Sequence, residues 1–170
     1  MNLRILLAAS LSVVSVAATV STADAQSRNN VRINQSGYSN EIAGRQTGYQ
    51  QSLSVRQNGY GQFISTYQNG ARNGATVGQY GRSNDAIVAQ HGRRNSTVVG
   101  QNGAYNYADT YQNAYASTTG VAQIGNGHTA VTTQTGSYNG LGVIQVGEGQ
   151  TANVKQSGRG NVTLVIQGDH

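Results

Sequence analysis

The sequence has no cysteine, proline or tryptophan, and it has one phenylalanine and one methionine in 170 residues. The absence of cysteine excludes disulfide scaffolds, cysteine-based metal sites and thiol catalysis. Charged residues make up only 10% of the chain, against roughly 25% in an ordinary globular domain. Because large apolar side chains are so scarce, the interior of this protein must be packed from small ones.

Residues 1–25 have the pattern of a secretory signal peptide. Arg4 supplies an early positive charge, residues 5–20 are apolar or small without charge, and residues 23–25 form an Ala-Asp-Ala cleavage site. The apolar run is weaker than the ~20 strongly apolar residues that span a bilayer. We therefore expect the mature chain to begin with a short leader, residues 26–28. Loss of Arg4 and Asp24 leaves its formal net charge at +5.

Glutamine recurs thirteen times at a constant spacing of 11 residues, which indicates a repeat architecture. These ladder glutamines are Gln35, Gln46, Gln57, Gln68, Gln79, Gln90, Gln101, Gln112, Gln123, Gln134, Gln145, Gln156 and Gln167. Two residues after the first twelve lie the arc glycines, with Ala114 as the one substitution: Gly37, Gly48, Gly59, Gly70, Gly81, Gly92, Gly103, Gly125, Gly136, Gly147 and Gly158.

A second polar position lies five residues after each ladder glutamine, and most of its side chains are amides. Asparagine occupies it at Asn40, Asn73, Asn84, Asn95, Asn106, Asn139 and Asn161. The other units have Gln51, Gln62, Ser117, His128 and Gln150. We call this position the arc amide, and the repeat unit is therefore Q-x-G-x-x-(N/Q).

The residues between the arcs alternate in character with a period of two. An 11-residue period also fits a right-handed helical supercoil, but a glycine in every unit costs a helix about 1 kcal/mol each time. Inward positions such as Asn73, Ala75, Val77 and Gln79 instead alternate with outward ones. Seven alternating residues followed by four turn-type residues predict a strand and then a tight arc.

This phase predicts thirteen strands, from residues 29–35 to residues 161–167. The type of residue at the second inward position alternates from one strand to the next. The full structural repeat is therefore two strands with their two arcs, which is 22 residues. The sequence therefore predicts an all-β fold over residues 29–167: a β-solenoid of two parallel sheets built from 11-residue half-repeats, 22 residues per coil, with cross-β stacking. Residues 168–170 form a tail.

Stacked amides explain how such a body holds together. A primary amide has two donor hydrogens and an acceptor oxygen, so identical amides at strand spacing can each donate to one neighbour and accept from the other. The arc glycines should have positive φ, and Ala114 should be strained. No proline or capping segment covers either end strand, so copies of the chain should stack head to tail into an open filament.

The repeat resembles that of the curlins, the subunits of curli, which are functional amyloid fibres on bacterial surfaces. The motif Q-x-G-x-x-N-x-A with a second glutamine matches at Gln79, Gly81, Asn84, Ala86 and Gln90, and again at Gln101, Gly103, Asn106, Ala108 and Gln112. The resemblance implies export to the periplasm, secretion through a dedicated outer-membrane pore, and polymerisation with a nucleator or major subunit into an extracellular fibre for biofilm and adhesion. The basic charge favours the minor nucleator, and the regular final repeat favours the major subunit.

Other function classes fit less well. An enzyme needs converging acids and bases, whereas the acids of residues 26–170 are scattered over different coils, and nothing predicts a cofactor, a small-molecule substrate or a metal site. His91, His128 and His170 are interpreted as satisfied or solvated side chains. An ice-binding surface would need a regular outward threonine array, which the sequence lacks.

One alternative concerns charge. Four arginines lie in arcs that lead from even to odd strands, so they should line one edge of the solenoid: Arg72, Arg93, Arg94 and Arg159. Tyr49, Tyr115 and Tyr138 share that edge. A cationic, aromatic stripe of this kind is suited to extracellular DNA or anionic polysaccharide. The competing interpretation is that the charge only keeps the chain soluble.

Overall fold

The computed structural model describes residues 17–18 and 28–169, and every regular element in them is a β-strand. The strands are β1 (Ala17–Ala18), β2 (Asn30–Tyr38), β3 (Glu41–Tyr49), β4 (Ser52–Tyr60), β5 (Phe63–Ala71), β6 (Gly74–Arg82), β7 (Asp85–Arg93), β8 (Ser96–Ala104), β9 (Tyr107–Tyr115), β10 (Thr118–Asn126), β11 (Thr129–Ser137), β12 (Gly140–Glu148), β13 (Thr151–Gln156) and β14 (Val162–Gly168). Apart from β1, the expected signal peptide lies outside the described residues. No helix in the described ranges is long and apolar enough to cross a membrane.

The strands form two seven-stranded parallel sheets. Sheet A has the order β1-β3-β5-β7-β9-β11-β13, and sheet B has the order β14-β12-β10-β8-β6-β4-β2. From β2 to β14, neighbouring strands pair in register at a separation of 22 residues, so that Gln57 lies opposite Gln79 and Gln123 opposite Gln145. The predicted β-solenoid of two parallel sheets with 22-residue coils is confirmed.

Most strands are longer than the seven residues expected. They begin one residue after the arc amide and continue past the ladder glutamine to the third arc residue, so that most contain nine residues. The cause is that identical arcs stack in register, as Gly37 does on Gly59, and the parallel ladder therefore continues around the corner. The expected four-residue arc is thus too long, because only two residues lie between most successive strands.

Every arc except that of Ala114 contains two residues with positive φ, and one residue separates them. The arc glycines have φ between 102° and 142°, a region that L side chains rarely adopt. Two residues later, φ lies between 51° and 72°, at glycines such as Gly127 and also at residues such as Arg94 and Tyr105. The expectation of strain at Ala114 is wrong: its φ is not positive, and its side chain is 7% exposed, because the local backbone adjusts to accept the methyl group.

The interior between the sheets is narrow and largely polar. Within the described residues, 24 buried polar side chains outnumber 17 buried apolar ones, and the apolar ones are mostly alanine and valine. Ile64 is the one apolar side chain among the largest fully buried ones; the rest are glutamines and His128. Since buried polar groups are costly without hydrogen bonds, the stability of this fold depends on how those amides are satisfied.

Two neighbouring glycines allow a direct test of the arc geometry. We expect Gly125→Ala to lower the free energy of unfolding by about 3 kcal/mol or more, because the new Cβ would overlap the carbonyl group of Gly147 on the next coil. Gly127→Ala should cost only about 1–2 kcal/mol, since its nearest neighbours are backbone atoms of Gly149 at 3.9 Å. Denaturant unfolding followed by circular dichroism measures both values, and equal losses would contradict the stacked-arc account.

Candidate functional site

The ladder glutamines form two continuous rows of hydrogen bonds, one in each sheet. In every step the side-chain Nε2 donates to Oε1 of the ladder glutamine 22 residues later, at 2.6–3.2 Å. The ladder glutamines from Gln57 to Gln145 are at most 1% exposed. Because each amide has the same neighbour above and below, one residue type satisfies the whole row, and a shift of register by one residue would turn every amide outward.

The same amide nitrogens also join the two sheets. Nε2 of Gln101 donates to the carbonyl of Asp85 at 2.9 Å, and Nε2 of Gln123 donates to that of Tyr107 at 3.0 Å. Eight other ladder glutamines make the equivalent bond to a carbonyl 16 residues earlier, at the start of a facing strand. Each of these ten glutamines therefore links coil to coil and sheet to sheet. Sequence reasoning missed these bonds because their acceptors are backbone atoms.

The arc asparagines from Asn40 to Asn139 use both their side-chain nitrogen and their side-chain oxygen. Nδ2 of Asn84 donates to the carbonyl of Tyr80 in its own arc at 3.1 Å and to that of Gly103 on the next coil at 3.0 Å. Its Oδ1 accepts the backbone N–H of Asn106, the arc amide of that coil, at 3.1 Å. Asparagine has the length that lets one side chain close its own corner and bind the next one.

Glutamine at the same position leaves an oxygen without a partner. Gln51 keeps both donor bonds, to the carbonyls of Thr47 and Gly70, and Gln62 keeps only a long one to Asn58. The Oε1 atoms of Gln51, Gln62 and Gln150 are buried, and none has a hydrogen-bond partner within the described residues. In Gln51 and Gln62 the extra methylene carries the oxygen past the backbone N–H of Asn73 and Asn84, which an asparagine would reach.

His128 reproduces the asparagine pattern with an imidazole ring. Its Nε2 lies 3.2 Å from the carbonyl of Ile124, and its Nδ1 lies 3.3 Å from the backbone nitrogen of Gln150. The N–H of Gln150 can only donate, so Nδ1 accepts and the hydrogen of a neutral ring is on Nε2. The ring is fully buried, which agrees with its interpretation as a satisfied histidine.

The two ends of the sheet B row differ chemically. At Gln35 the amide Oε1 is buried and has no partner among the described residues. At Gln167 the amide donates to the carbonyl of Thr151, and the part of the chain that is described gives its other hydrogen no acceptor. The row therefore begins with an acceptor and ends with a donor, and β2 and β14 each have one unpaired edge.

The β14 end is partly covered at one corner, which the sequence did not reveal. Asp169 follows β14 at the position of an arc glycine, and its carboxylate accepts the N–H of Glu148 and the side-chain amide of Gln150, both at 2.6 Å. Equivalent bonds elsewhere go to an arc glycine carbonyl, such as that of Gly158. The carboxylate thus replaces the carbonyl of a further coil, and the expectation of an end without any cap is wrong at this corner.

The four arginines of the arcs from sheet A to sheet B lie on the outer surface of the solenoid. Arg72, Arg93, Arg94 and Arg159 are all exposed. Arg94 donates to the hydroxyl of Tyr115 at 3.0 Å, and the guanidinium groups of Arg94 and Arg159 lie 5.9 Å and 5.4 Å from the ring centroids of Tyr115 and Tyr138. These four residues lie on one edge, as the arc phase predicted.

Two acids lie close together on the outer face of sheet A. Asp85 is the register partner of Tyr107, and Asp109 lies two residues further along the same strand as that tyrosine. Burial against the sheet raises the pKa of both carboxyl groups above the ordinary aspartate value. In the described part of the chain, His, Asp and Glu form no group of three or more that could hold a metal ion.

The unpartnered oxygens of the arc glutamines allow a test of how much the hydrogen bonds of the arc amides contribute to stability. Gln62→Asn should raise the free energy of unfolding by about 1–2 kcal/mol, because Oδ1 would then accept the N–H of Asn84 and a buried oxygen would be satisfied. Asn84→Gln is the matched reverse change and should lower stability by a similar amount. Denaturant unfolding measures both, and a destabilising Gln62→Asn would refute this account of the corner.

A comparison with protein-family models matches residues 63–92 to the curlin associated repeat. These residues comprise β5, β6 and most of β7, so the match covers just under three consecutive 11-residue units. Comparisons with curated proteins and with solved structures return no significant match. The repeat and the solenoid fold indicate a structural protein. Over these residues the chain is thus similar to the curlin associated repeat, which agrees with the resemblance noted in its sequence.

Proposed function

We propose that this chain is a structural subunit of an extracellular curli-type amyloid fibre, which grows by end-to-end stacking of solenoids and serves biofilm matrix, surface adhesion and aggregation. The curlin associated repeat at residues 63–92 supports a fibre of this family. Its working residues are the ladder glutamines, the arc asparagines and the arc glycines. Its main partner is another copy of the same chain.

The observation that carries this proposal is the direction of the glutamine row. All eleven ladder bonds point from the earlier to the later glutamine, so Gln167 is left with a donor and Gln35 with an acceptor. A second copy placed with β2 against β14 would join these two groups and continue the parallel pairing of sheet B. The strand spacing of sheet B within and between subunits would then be the same.

The route to the cell surface follows from the family and from the N-terminal pattern. Residues 1–25 would direct export to the periplasm, residues 26–28 would form the leader, and the outer-membrane curli pore would secrete the unfolded chain. Removal of residues 1–25 would also take away β1, which pairs with Ala43 and Gly44 of β3, and so open that edge of sheet A. The chain would act as the major subunit, or alternatively as the minor nucleator.

Substitutions at the two ends test end-to-end growth. Gln35→Ala or Gln167→Ala removes one rung of the proposed junction, which costs about 1–3 kcal/mol, so seeded elongation should slow by roughly 5- to 150-fold. Ser54→Ala, on the outer face of β4, is the matched control and should elongate like the parent. Thioflavin fluorescence with preformed seeds measures the rates, and circular dichroism checks that each variant folds.

Two results would reject the fibre. One is equal elongation by the three variants. The other is a purified protein that stays a soluble particle at every concentration and gives no meridional reflection near the strand spacing of about 4.8 Å. The lag time of the unseeded protein separates a nucleator, which should start growth at once, from a bulk subunit.

A second candidate function is supported by the charge on one edge. The arcs that lead from sheet A to sheet B contain four arginines and no aspartate or glutamate, and two of these arginines lie against tyrosine rings. Stacked copies would extend this edge into a cationic stripe that binds extracellular DNA or anionic polysaccharide by neutralising its charge.

Salt dependence tests the polyanion hypothesis. Binding of fibres to a DNA duplex should weaken steeply as the salt concentration rises, because condensed counterions are released on binding. Replacing Arg72, Arg94 and Arg159 together by glutamine should reduce both the affinity and the slope. The control replaces Arg32 and Arg56, which lie on the outer face of sheet B, and should have a smaller effect. Binding that is insensitive to salt would eliminate this function.

A further inference from the structure

Tyr38 and Tyr60 lie directly above one another on consecutive coils. They are register partners at the ends of β2 and β4, with ring centroids 5.6 Å apart and ring planes within 12° of parallel. The backbone holds both in place, because their carbonyls accept the N–H groups of Gly61 at 3.0 Å and Ser83 at 2.9 Å. The residues are 59% and 51% exposed, so reagents in solution can reach both rings.

No other tyrosines in the described ranges have this arrangement. Tyr115 and Tyr138 meet edge to face at 79°, and each ring has an arginine guanidinium nearby. Tyr67 and Tyr111 lie on either side of His91, which separates their rings by a whole coil. Within residues 28–169, the stacked pair is therefore the one place where two phenol rings face each other in parallel.

We propose that Tyr38 and Tyr60 form a site of oxidative modification, at which a peroxide-dependent one-electron oxidant of the haem peroxidase class joins the rings as dityrosine. Each phenol gives up one electron and one proton and becomes a phenoxyl radical. The radicals couple through the ring carbons ortho to the oxygens, and the ring hydrogens then move to the oxygens, which restores both hydroxyls. One carbon–carbon bond replaces two carbon–hydrogen bonds, while one hydrogen peroxide takes the two electrons and two protons and becomes two waters.

The fold favours this coupling within one chain. Two groups held in register react as an intramolecular pair, which is far more efficient than an encounter between separate molecules. The bond would close a loop between residues 38 and 60 and so restrict the unfolded chain. It would link β2, whose residues are mostly exposed, to β4, whose inward side chains Leu53, Val55 and Gln57 are buried. This inference needs only the coil and does not rest on the fibre.

The experiment treats the purified protein with hydrogen peroxide and a haem peroxidase, and follows dityrosine fluorescence. Trypsin then releases Tyr38 in residues 33–45 and Tyr60 in residues 57–72. The expected product is these two peptides joined, with a mass two hydrogen atoms below their sum. Because residues 57–72 also contain Tyr67, fragmentation must place the bond at Tyr60.

Phenylalanine variants keep the ring packing and remove the reacting phenol. Tyr38→Phe and Tyr60→Phe should each lose the joined peptides and most of the fluorescence, whereas the control variant Tyr115→Phe should keep both. Circular dichroism checks that all three fold. The proposal is overturned if the fluorescence survives in Tyr38→Phe, if the bond forms mainly between chains, or if the protein gives no dityrosine while the same mixture couples free tyrosine.

Discussion

The structure depends on one requirement, which is that a buried carboxamide needs partners for both of its hydrogens and for its oxygen. An unsatisfied buried polar group costs about 1–3 kcal/mol, and this interior buries more polar side chains than apolar ones. The glutamine rows meet the requirement with copies of themselves, since the neighbour of each amide is the same amide one coil away. The in-register pairing of both sheets follows, because any other register would leave the rows unsatisfied.

The amides in the arcs also need partners for their hydrogens and oxygens, and they find them within their own corner and on the next coil. Asn84 can reach the next coil only if the corners stack closely, and they stack so closely that a side chain on an arc glycine would overlap the carbonyl of the following coil. The glycine, the amide and the strand register therefore specify one another. Gln51 and Gln62 show how narrow the tolerance is, since one additional methylene leaves an oxygen without a partner.

The sequence alone predicted the features that repeat in side chains. The spacing of Gln35, Gln57 and Gln79 indicated the coil length, and the alternation between them indicated two facing parallel sheets. The bonds from ladder glutamines to facing carbonyls could not be predicted in this way, because backbone acceptors have no sequence signal. The positive φ two residues after each arc glycine did have a sequence signal, because Gly61 and the glycines at the equivalent position of other units occupy it. Serine, arginine and tyrosine at that position in most of the remaining units obscured the signal. The 22-residue spacing of Tyr38 and Tyr60 places them in one column, although only the structure gives the parallel orientation of their rings.

The direction of the amide rows limits what any assembly of these solenoids can look like. Two copies that met through identical ends would bring acceptor to acceptor at Gln35 or donor to donor at Gln167, so a closed two-fold dimer cannot continue the row. Joining unlike ends satisfies both groups but recreates the same two ends on the longer particle, and such head-to-tail contacts do not terminate by themselves. At the β14 end the Asp169 carboxylate already occupies one corner, so an incoming coil must displace it. The sheet B row has no comparable obstacle, which makes the glutamine row the natural first contact between copies.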